Sequence, residues 1–170
     1  MPNTKHLLES AAAYKEHFGG ALPLGTRRKL VVVTCMDARI DPFALLGLEA
    51  GDAHILRNAG GVATDDVIRS LAISQHVQGT SQVVLIHHTD CGMLGLTEDG
   101  FRADIRERCG VTPTWAVEAF TDLDADVRQS IARIKASPFI PRKENVRGFV
   151  YDVGDGSLRE VTSEHASAGV

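Results

Sequence analysis

The chain has 170 residues, 44% of them hydrophobic and 24% charged, with a formal net charge of −4 at pH 7. This length predicts one domain, residues 1–170, and the acidic balance disfavours nucleic acid or an acidic membrane surface as the main partner, because both bind basic faces. No apolar run approaches the roughly 20 residues of a membrane-spanning helix, and the N-terminus lacks the apolar centre of a signal peptide. We therefore expect a cytoplasmic protein.

The chain opens with the pattern of an amphipathic helix, TKHLLESAAAYKEHFGG at 4–20, in which Thr4 is a candidate N-cap and the two glycines form a stop. The following ALPLGTRR is typical of a linker. We therefore expect residues 1–20 to form an N-terminal helical arm that lies either on its own domain or on another subunit.

Three short runs rich in β-branched and aliphatic residues predict buried strands at 29–35, 53–58 and 81–88. Two helices are predicted between them, at 41–48 and 64–79. This alternation of strands and helices indicates an α/β fold, with a mostly parallel central β-sheet flanked by helices.

The later part of the chain is less regular. A helix is expected within 98–110 and a second one at 122–136. VRGFVYDVGDGSLREV at 146–161 alternates about a Gly-Asp-Gly turn and predicts a C-terminal hairpin. The core therefore spans 29–161, and SEHASAGV at 163–170 predicts a frayed tail.

Reactive side chains follow two of the predicted strands. Cys35 ends the first strand and His88 ends the third, with Cys91 three positions further on. Because ligands bind beyond the carboxyl ends of parallel strands, these side chains converge on one point if the two strands are neighbours. Two thiolates and an imidazole suit tetrahedral zinc, and three protein ligands leave one position open, as in catalytic zinc sites.

The residues by themselves are also compatible with a buried thiol or a closed metal site. Cys35 alone is typical of a buried apolar thiol, and the chain has no C-x-x-C redox pair. A closed structural site would need a fourth ligand, from among His87, Cys109 and Asp37. His87 should face away from His88 and serve as a core histidine. Cys109 has no pairing motif and is expected to be a plain buried thiol, which leaves Asp37 as the credible fourth ligand.

Asp37 and Arg39 follow the first cysteine at alternate positions, in a C-x-D-x-R unit. A carboxylate and a guanidinium so placed are usually a surface ion pair. Beside zinc, pairing with Arg39 would keep Asp37 ionised and able to accept a hydrogen bond from metal-bound water. If the pair broke, the freed carboxylate would be able to bind zinc and displace that water.

These residues together resemble the β-carbonic anhydrases. The family's C-x-D-x-R appears as CMDAR at 35–39, and its H-x-x-C appears as HTDCG at 88–92. RNAGG and TDDVIRSL stand between them, where the family has similar stretches, and the likeness runs from Lys29 through YDVGDGSL. As a combined pattern it is specific, and it covers most of the chain.

The resemblance implies a site, a cofactor and an assembly. The cofactor is one zinc ion per subunit, and the assembly is a homodimer or a dimer-based oligomer, in which an N-terminal helix commonly embraces the partner subunit. The implied residues are the zinc ligands Cys35, His88 and Cys91, the catalytic dyad Asp37 and Arg39, and the substrate-binding amide of Gly92.

The function implied by the resemblance is that of a zinc lyase. Zinc-bound hydroxide, oriented by the dyad, would hydrate CO2 reversibly to bicarbonate and a proton. His87 is close enough in sequence to be considered as a proton shuttle.

Two alternatives use the same metal site. The chain is compact, like a branch of the family that includes carbonyl sulfide and carbon disulfide hydrolases, in which case Met36 and Leu94 are candidates for the pocket lining. The other alternative is a non-catalytic zinc or bicarbonate-sensing protein in which Asp37 permanently closes the coordination sphere. Arg39 argues against it, because a guanidinium that holds the carboxylate off the metal would have no use there.

The chain also departs from the family. Met36 and Ala38 stand where many members have serine, and His87 replaces a frequent glycine. No residue matches the glutamine that assists substrate in the plant-type branch, and Trp115 lies outside any segment similar to the allosteric bicarbonate pocket of some bacterial enzymes. We therefore infer neither plant-type substrate contacts nor bicarbonate regulation.

Overall fold

A computed structural model describes residues 4–162 of the chain, so the predicted frayed tail at 163–170 lies outside the described residues. The strands are β1 (Leu30–Cys35), β2 (Ala53–Asn58), β3 (Gln82–His88), β4 (Val146–Tyr151) and β5 (Leu158–Glu160). The α-helices are α1 (Thr4–Glu16), α2 (Pro42–Leu46), α3 (Asp65–Gln78), α4 (Glu98–Cys109) and α5 (Leu123–Ala136), and a short 3-10 helix covers Gly92–Gly95.

The five strands form one sheet in the order β2-β1-β3-β4-β5. The first four strands are parallel to one another, and β5 is antiparallel to β4. The predicted α/β fold with a mostly parallel sheet and a C-terminal hairpin is confirmed. The 3-10 helix was not predicted, because its four residues carry no periodic pattern.

The centre of the sheet is covered on both faces, as its almost unbroken run of valines predicts. Val31 and Val33 pack on one face with Leu71 of α3 and Ile134 of α5. Val32 points to the other face, where it packs with Leu48 and Ile86. Because successive side chains of a strand alternate between faces, a strand that is buried on both sides has to be apolar throughout.

The helix ends follow the expected capping chemistry. The Thr64 side chain accepts a hydrogen bond from the Val67 N–H at the start of α3, and Gly79 ends the helix with a left-handed φ of 72°. Asp122 caps α5 by accepting from the Ala125 N–H. These caps set where the helices stop, and therefore where the loops at the sheet edge begin.

The arm helix α1 is present, but no residue of it is buried within the described chain. Its apolar side chains are exposed, among them Leu7 (64%), Leu8 (72%) and Tyr14 (66%). Across residues 4–162, no helix combines the length and the apolarity that crossing a membrane requires.

Helix α4 also has no buried residue, and Cys109 at its end is exposed. The expectation of a buried thiol at Cys109 is wrong. The helix lies along the surface, and Gly110 ends it in a left-handed conformation directly after the cysteine, so the thiol has no core to enter.

Candidate metal centre

The metal centre lies where two neighbouring strands end. β1 and β3 are parallel neighbours, with Thr34 in register with Ile86, so Cys35 and His88 both lie at the carboxyl edge of the sheet. Cys91 follows β3 after a tight turn in which Asp90 takes a positive φ of 53°. The condition for convergence, that the two strands be neighbours, is met.

The three predicted donor groups come together. One donor atom from each of Cys35, His88 and Cys91 lies within 4.8 Å of the others, and all three residues are buried. The two sulfur atoms are 4.0 Å apart, close to the separation of about 3.8 Å that two thiolates have on a tetrahedral zinc ion. The donor set can therefore hold zinc.

The orientation of the imidazole fits the same conclusion. The Nδ1–H of His88 donates to the Thr89 carbonyl at 2.9 Å, which leaves the lone pair on Nε2. Nε2 is buried, and no group of residues 4–162 makes a hydrogen bond to it. A buried acceptor without a partner is costly, and a metal ion on Nε2 would remove that cost.

The two cysteine side chains form a hydrogen bond to each other, and this bond shifts their pKa values in opposite directions. The hydrogen bond with Cys91 is the largest cause that lowers the pKa of Cys35, although burial opposes it, and the neighbouring His88 imidazole and the backbone N–H groups of Asp37 and Gly60 lower it further. The same hydrogen bond, together with burial, raises the pKa of Cys91. Burial lowers the pKa of His88, but Cys35, the Thr89 carbonyl and Asp37 together more than offset this, and the pKa is raised. The site is thus prepared for a cation.

Asp37 and Arg39 form an ion pair at the edge of this group. Arg39 donates from Nε to Oδ1 of Asp37 at 3.0 Å and from Nη2 to Oδ2 at 2.8 Å. These hydrogen bonds hold the pKa of the Asp37 carboxyl well below its usual range. The carboxylate Oδ2 lies 3.8 Å from Nε2 of His88, so the pair directly adjoins the donor group.

Two contacts around this pair were not predicted from the sequence. Arg39 also donates to Asp90, from Nη1 to the side-chain Oδ2 at 2.7 Å and from Nη2 to the carbonyl at 2.9 Å. Arg57 of β2 donates to the carbonyls of Cys35 and Asp37, at 3.0 and 2.6 Å. Asp90, the acidic residue inside HTDCG, was a sequence signal for the contact with Arg39. No residue near Arg57 in the sequence indicates its contacts with Cys35 and Asp37.

A cavity of about 520 Å³ opens beside the donor group. Cys35, Asp37, Cys91 and Gly92 are among the residues that line it. Its apolar wall consists of Met36, Met93, Leu96, Phe101, Trp115 and Val117. Met36 lines the cavity as expected, but Leu94 does not; Met93 and Leu96 line it instead. Trp115 and Phe101 were missed, because they are distant from the metal motif in sequence.

The outer wall of the cavity is held by polar contacts to α4. The carboxylate of Glu98 accepts from the Val117 N–H at 2.9 Å, and Arg102 donates to the Trp115 carbonyl at 3.2 Å. The rings of Phe101 and Trp115 lie 6.4 Å apart between centroids. The segment 115–117 is thus placed next to the site by one face of α4.

His87 lies away from this cavity and has no exposed surface. Its Nε2–H donates to the Asp126 carboxylate at 2.6 Å, and its ring packs against Phe120. The interpretation as a core histidine is confirmed, and a fully buried ring gives no support to a role as proton shuttle.

Comparisons with known proteins agree with this geometry. A sequence model of the carbonic anhydrase family matches residues 30–158. Beta-carbonic anhydrase 1 of Mycobacterium tuberculosis is 48% identical over 162 residues, which cover 95% of this chain and 99% of the relative. A carbon disulfide hydrolase of Saccharolobus solfataricus is 33% identical over 157 residues, and the match covers 78% of this chain and 77% of the relative. The crystal structure of carbonic anhydrase from Streptococcus mutans has a TM-score of 0.89 at 43% identity, with 95% of this chain and 99% of that one covered.

Proposed function

Because this chain belongs to the carbonic anhydrase family, in its β class, a class of zinc enzymes, we propose that it catalyses the reversible hydration of CO2 to bicarbonate and a proton. One observation carries the proposal: a buried Cys35, His88 and Cys91 donor group has the Asp37 carboxylate directly beside it, and both cysteines and Asp37 line a largely apolar cavity.

The ligands in this proposal are the two cysteine sulfur atoms and Nε2 of His88. A zinc ion bound there would lower the pKa of a coordinated water to about 7 and so supply a nucleophile at neutral pH. The Thr89 carbonyl keeps the imidazole turned with Nε2 toward the sulfur atoms. Met93 donates a backbone N–H to Cys91 and so favours its thiolate form.

Asp37 and Arg39 orient the attacking water. The carboxylate has both oxygens held by Arg39, and its lowered pKa keeps it ionised at neutral pH. An ionised carboxylate only accepts hydrogen bonds, so Asp37 directs the lone pairs of the water toward the substrate. The same hydrogen bonds from Arg39 keep Asp37 from serving as a fourth ligand, which disfavours a non-catalytic protein in which Asp37 closes the coordination sphere.

Gly92 and the cavity wall place the substrate. Gly92 begins the 3-10 helix and lines the cavity, and a side chain added at this position would meet no atom within 4 Å. This open approach supports Gly92 as a donor to a substrate oxygen. The apolar wall suits CO2, a small molecule without a net dipole.

The test is stopped-flow CO2 hydration by zinc-loaded protein at pH 7 and pH 8.5, beside Asp37→Ala. We expect activity at both pH values, and its loss in the variant. Activity at pH 8.5 alone would indicate that Asp37 closes the coordination sphere at neutral pH. Zinc-loaded protein that is inactive at both pH values would refute CO2 hydration. Protein that holds no zinc, or Cys35→Ser with full zinc content, would refute the site itself.

A COS or CS2 hydrolase is the second candidate. The observation that favours it is the apolar wall of the cavity, together with the likeness to a carbon disulfide hydrolase. COS and CS2 are larger and more polarisable than CO2, so the apolar wall would have to accept the larger sulfur atoms. Initial rates measured on CO2, COS and CS2 with one zinc-loaded preparation distinguish the two candidates.

We propose a homodimer or a dimer-based oligomer as the working form, with α1 packed on the partner subunit. The exposed apolar side chains of α1, such as Leu7, Leu8 and Tyr14, support this assembly, because a free amphipathic helix would leave them in water. Light scattering at micromolar concentration tests it, and a monomer would refute it.

We propose the cytoplasm as the place of action. The three described cysteines are free, and thiolate ligands are best kept in a reducing compartment. Cell fractionation against a cytoplasmic marker protein tests this point, and recovery with another compartment would contradict it.

A further inference from the structure

The face of helix α5 that packs on the sheet carries two buried polar side chains beside a buried apolar one. Asp126, Ser130 and Ile134 follow one another at intervals of four residues, so they share one face of the helix. All three are buried, with exposures of 8%, 2% and 0%. Ile134 packs in the main core, whereas the two polar residues lie toward the edge of the sheet where the strands end.

Asp126 contacts the strand that carries one donor residue. Its carboxylate accepts from Nε2–H of His87 at 2.6 Å, and both groups are shielded from water. His87 is the residue immediately before His88, and the two side chains leave β3 on opposite faces. Holding His87 from behind therefore fixes the backbone from which His88 points at the donor group.

Ser130 contacts the turn that supports another donor residue. Its hydroxyl oxygen accepts from the Ala63 N–H at 3.1 Å. Ala63 lies two residues beyond the Ala59-Gly60-Gly61 turn that follows β2, and Gly61 of this turn lies directly on the end of β1. A side chain added at Gly61 would come within 2.9 Å of the Cys35 backbone nitrogen. The hydrogen bond to Ala63 therefore restrains the segment that follows the turn, and so helps to keep the turn in contact with the backbone of Cys35.

We propose that α5 braces the metal centre from behind, with Asp126 and Ser130 as positioning residues for His88 and Cys35. Neither residue touches the donor atoms, and each acts through one neighbour. The inference rests on the proposed metal site. It explains why a helix that packs on an apolar sheet keeps two polar side chains on its buried face.

Polar groups at these positions are informative because burial makes them costly unless they are bonded. Apolar side chains would fill the same space without a desolvation cost. A hydrogen bond, unlike an apolar contact, has a direction, so it fixes the orientation of the backbone it holds. Groups that orient metal ligands typically change metal affinity 10–100-fold when they are removed.

The test measures Co2+ and Zn2+ affinity by competition with a chelator, together with the ligand-field absorption of the Co2+ form. We expect Asp126→Ala and Ser130→Ala to weaken binding, within the range of about 10–100-fold, and to change the Co2+ spectrum. Asp126→Asn should keep the wild-type affinity and spectrum, because its amide oxygen still accepts from His87.

Ile134→Ala is the matched control. It removes a buried side chain from the same stripe of α5 but breaks no hydrogen bond to either strand end, so it should destabilise the fold to urea and leave metal affinity unchanged. If Ser130→Ala and Asp126→Ala bind metal as Ile134→Ala does, the inference is wrong. If Asp126→Ala does not fold, the metal affinity of Ser130→Ala, compared with that of Ile134→Ala, decides whether the inference holds. Wild-type protein that binds no Co2+ would instead refute the proposed metal site.

Discussion

Arg39 binds both carboxylate oxygens of Asp37 and still has a nitrogen left for Asp90, which belongs to the other ligand loop. One guanidinium therefore ties the loop after β1 to the loop after β3. Its planar, fixed set of donors makes this three-way arrangement possible, which a lysine ammonium would not reproduce.

Removing this guanidinium should impair catalysis. For Arg39→Ala we expect CO2 hydration to fall by about 10–100-fold, because Asp37 loses its orientation beside the site. The loss should be larger at pH 7 than at pH 8.5, since the freed carboxylate competes with hydroxide for the metal. Stopped-flow rates at both pH values check this. Asp90→Ala is the milder comparison, because the Asp90 side chain is 79% exposed and such pairs contribute little. Equal losses in both variants would contradict the argument.

A side chain at Gly61 should disrupt the fold beneath the metal centre. Its φ is +74°, and an added Cβ would meet backbone atoms of Thr34 and Cys35 at 2.9 Å. We expect Gly61→Ala to lower the free energy of unfolding by about 3 kcal/mol or more, because strain and overpacking add.

Gly110 provides the matched control for this substitution. It has the same φ of +74°, but an added Cβ would meet nothing within 4 Å. Gly110→Ala should therefore lower the free energy of unfolding only by the conformational cost of a positive φ, about 1–2 kcal/mol. Urea unfolding of the two metal-free variants measures the difference, and equal values would show that the close approach at Gly61 costs nothing.

Asp52 should make stability depend on pH in the acid range. Its buried carboxylate accepts from the Glu49 N–H at 3.0 Å and pairs with Arg27 and Arg28 at 2.8 and 3.1 Å. The Glu49 hydrogen bond is the largest cause that lowers the pKa of Asp52, and burial opposes it. A group whose pKa is lower in the folded state stabilises the fold above its unfolded pKa, about 3.9. That contribution is lost as the pH falls through the folded pKa.

The measurement is urea unfolding of wild type and Asp52→Asn at pH 7, 5, 4 and 3. The difference in unfolding free energy should be constant between pH 7 and 5 and shrink below about pH 4. A difference that grows toward acid would contradict the assigned direction of the pKa shift.

One thiol should be ionised in the metal-free protein. The hydrogen bond between the two sulfur atoms lowers the pKa of Cys35 and raises that of Cys91, so Cys35 is the expected thiolate. In a Cys109→Ser background, thiolate absorbance near 240 nm should persist at pH 6, and Cys35→Ser should abolish it. Persistence in Cys35→Ser but not in Cys91→Ser would reverse the assignment.

The sequence by itself predicted the α-helices and strands and singled out the donor residues as candidates. Valine-rich runs predicted β1 and β3 because parallel strands are buried on both faces. The helices predicted at 64–79 and 122–136 begin at the residues that cap them in the structure, Thr64 and Asp122. Cys35 and His88 were found because they end those strands. Each of these signals lies within a few neighbouring residues, and local periodicity records it.

Only the tertiary structure decided which distant side chains support the site. The His87–Asp126 bond joins residues 39 positions apart, and Trp115 enters the cavity wall through its contacts with α4. Cys109 was wrongly expected to be buried because nothing near it in sequence shows that α4 lies on the surface. Contacts of this kind depend on how whole elements pack, and packing leaves no periodic pattern in the chain.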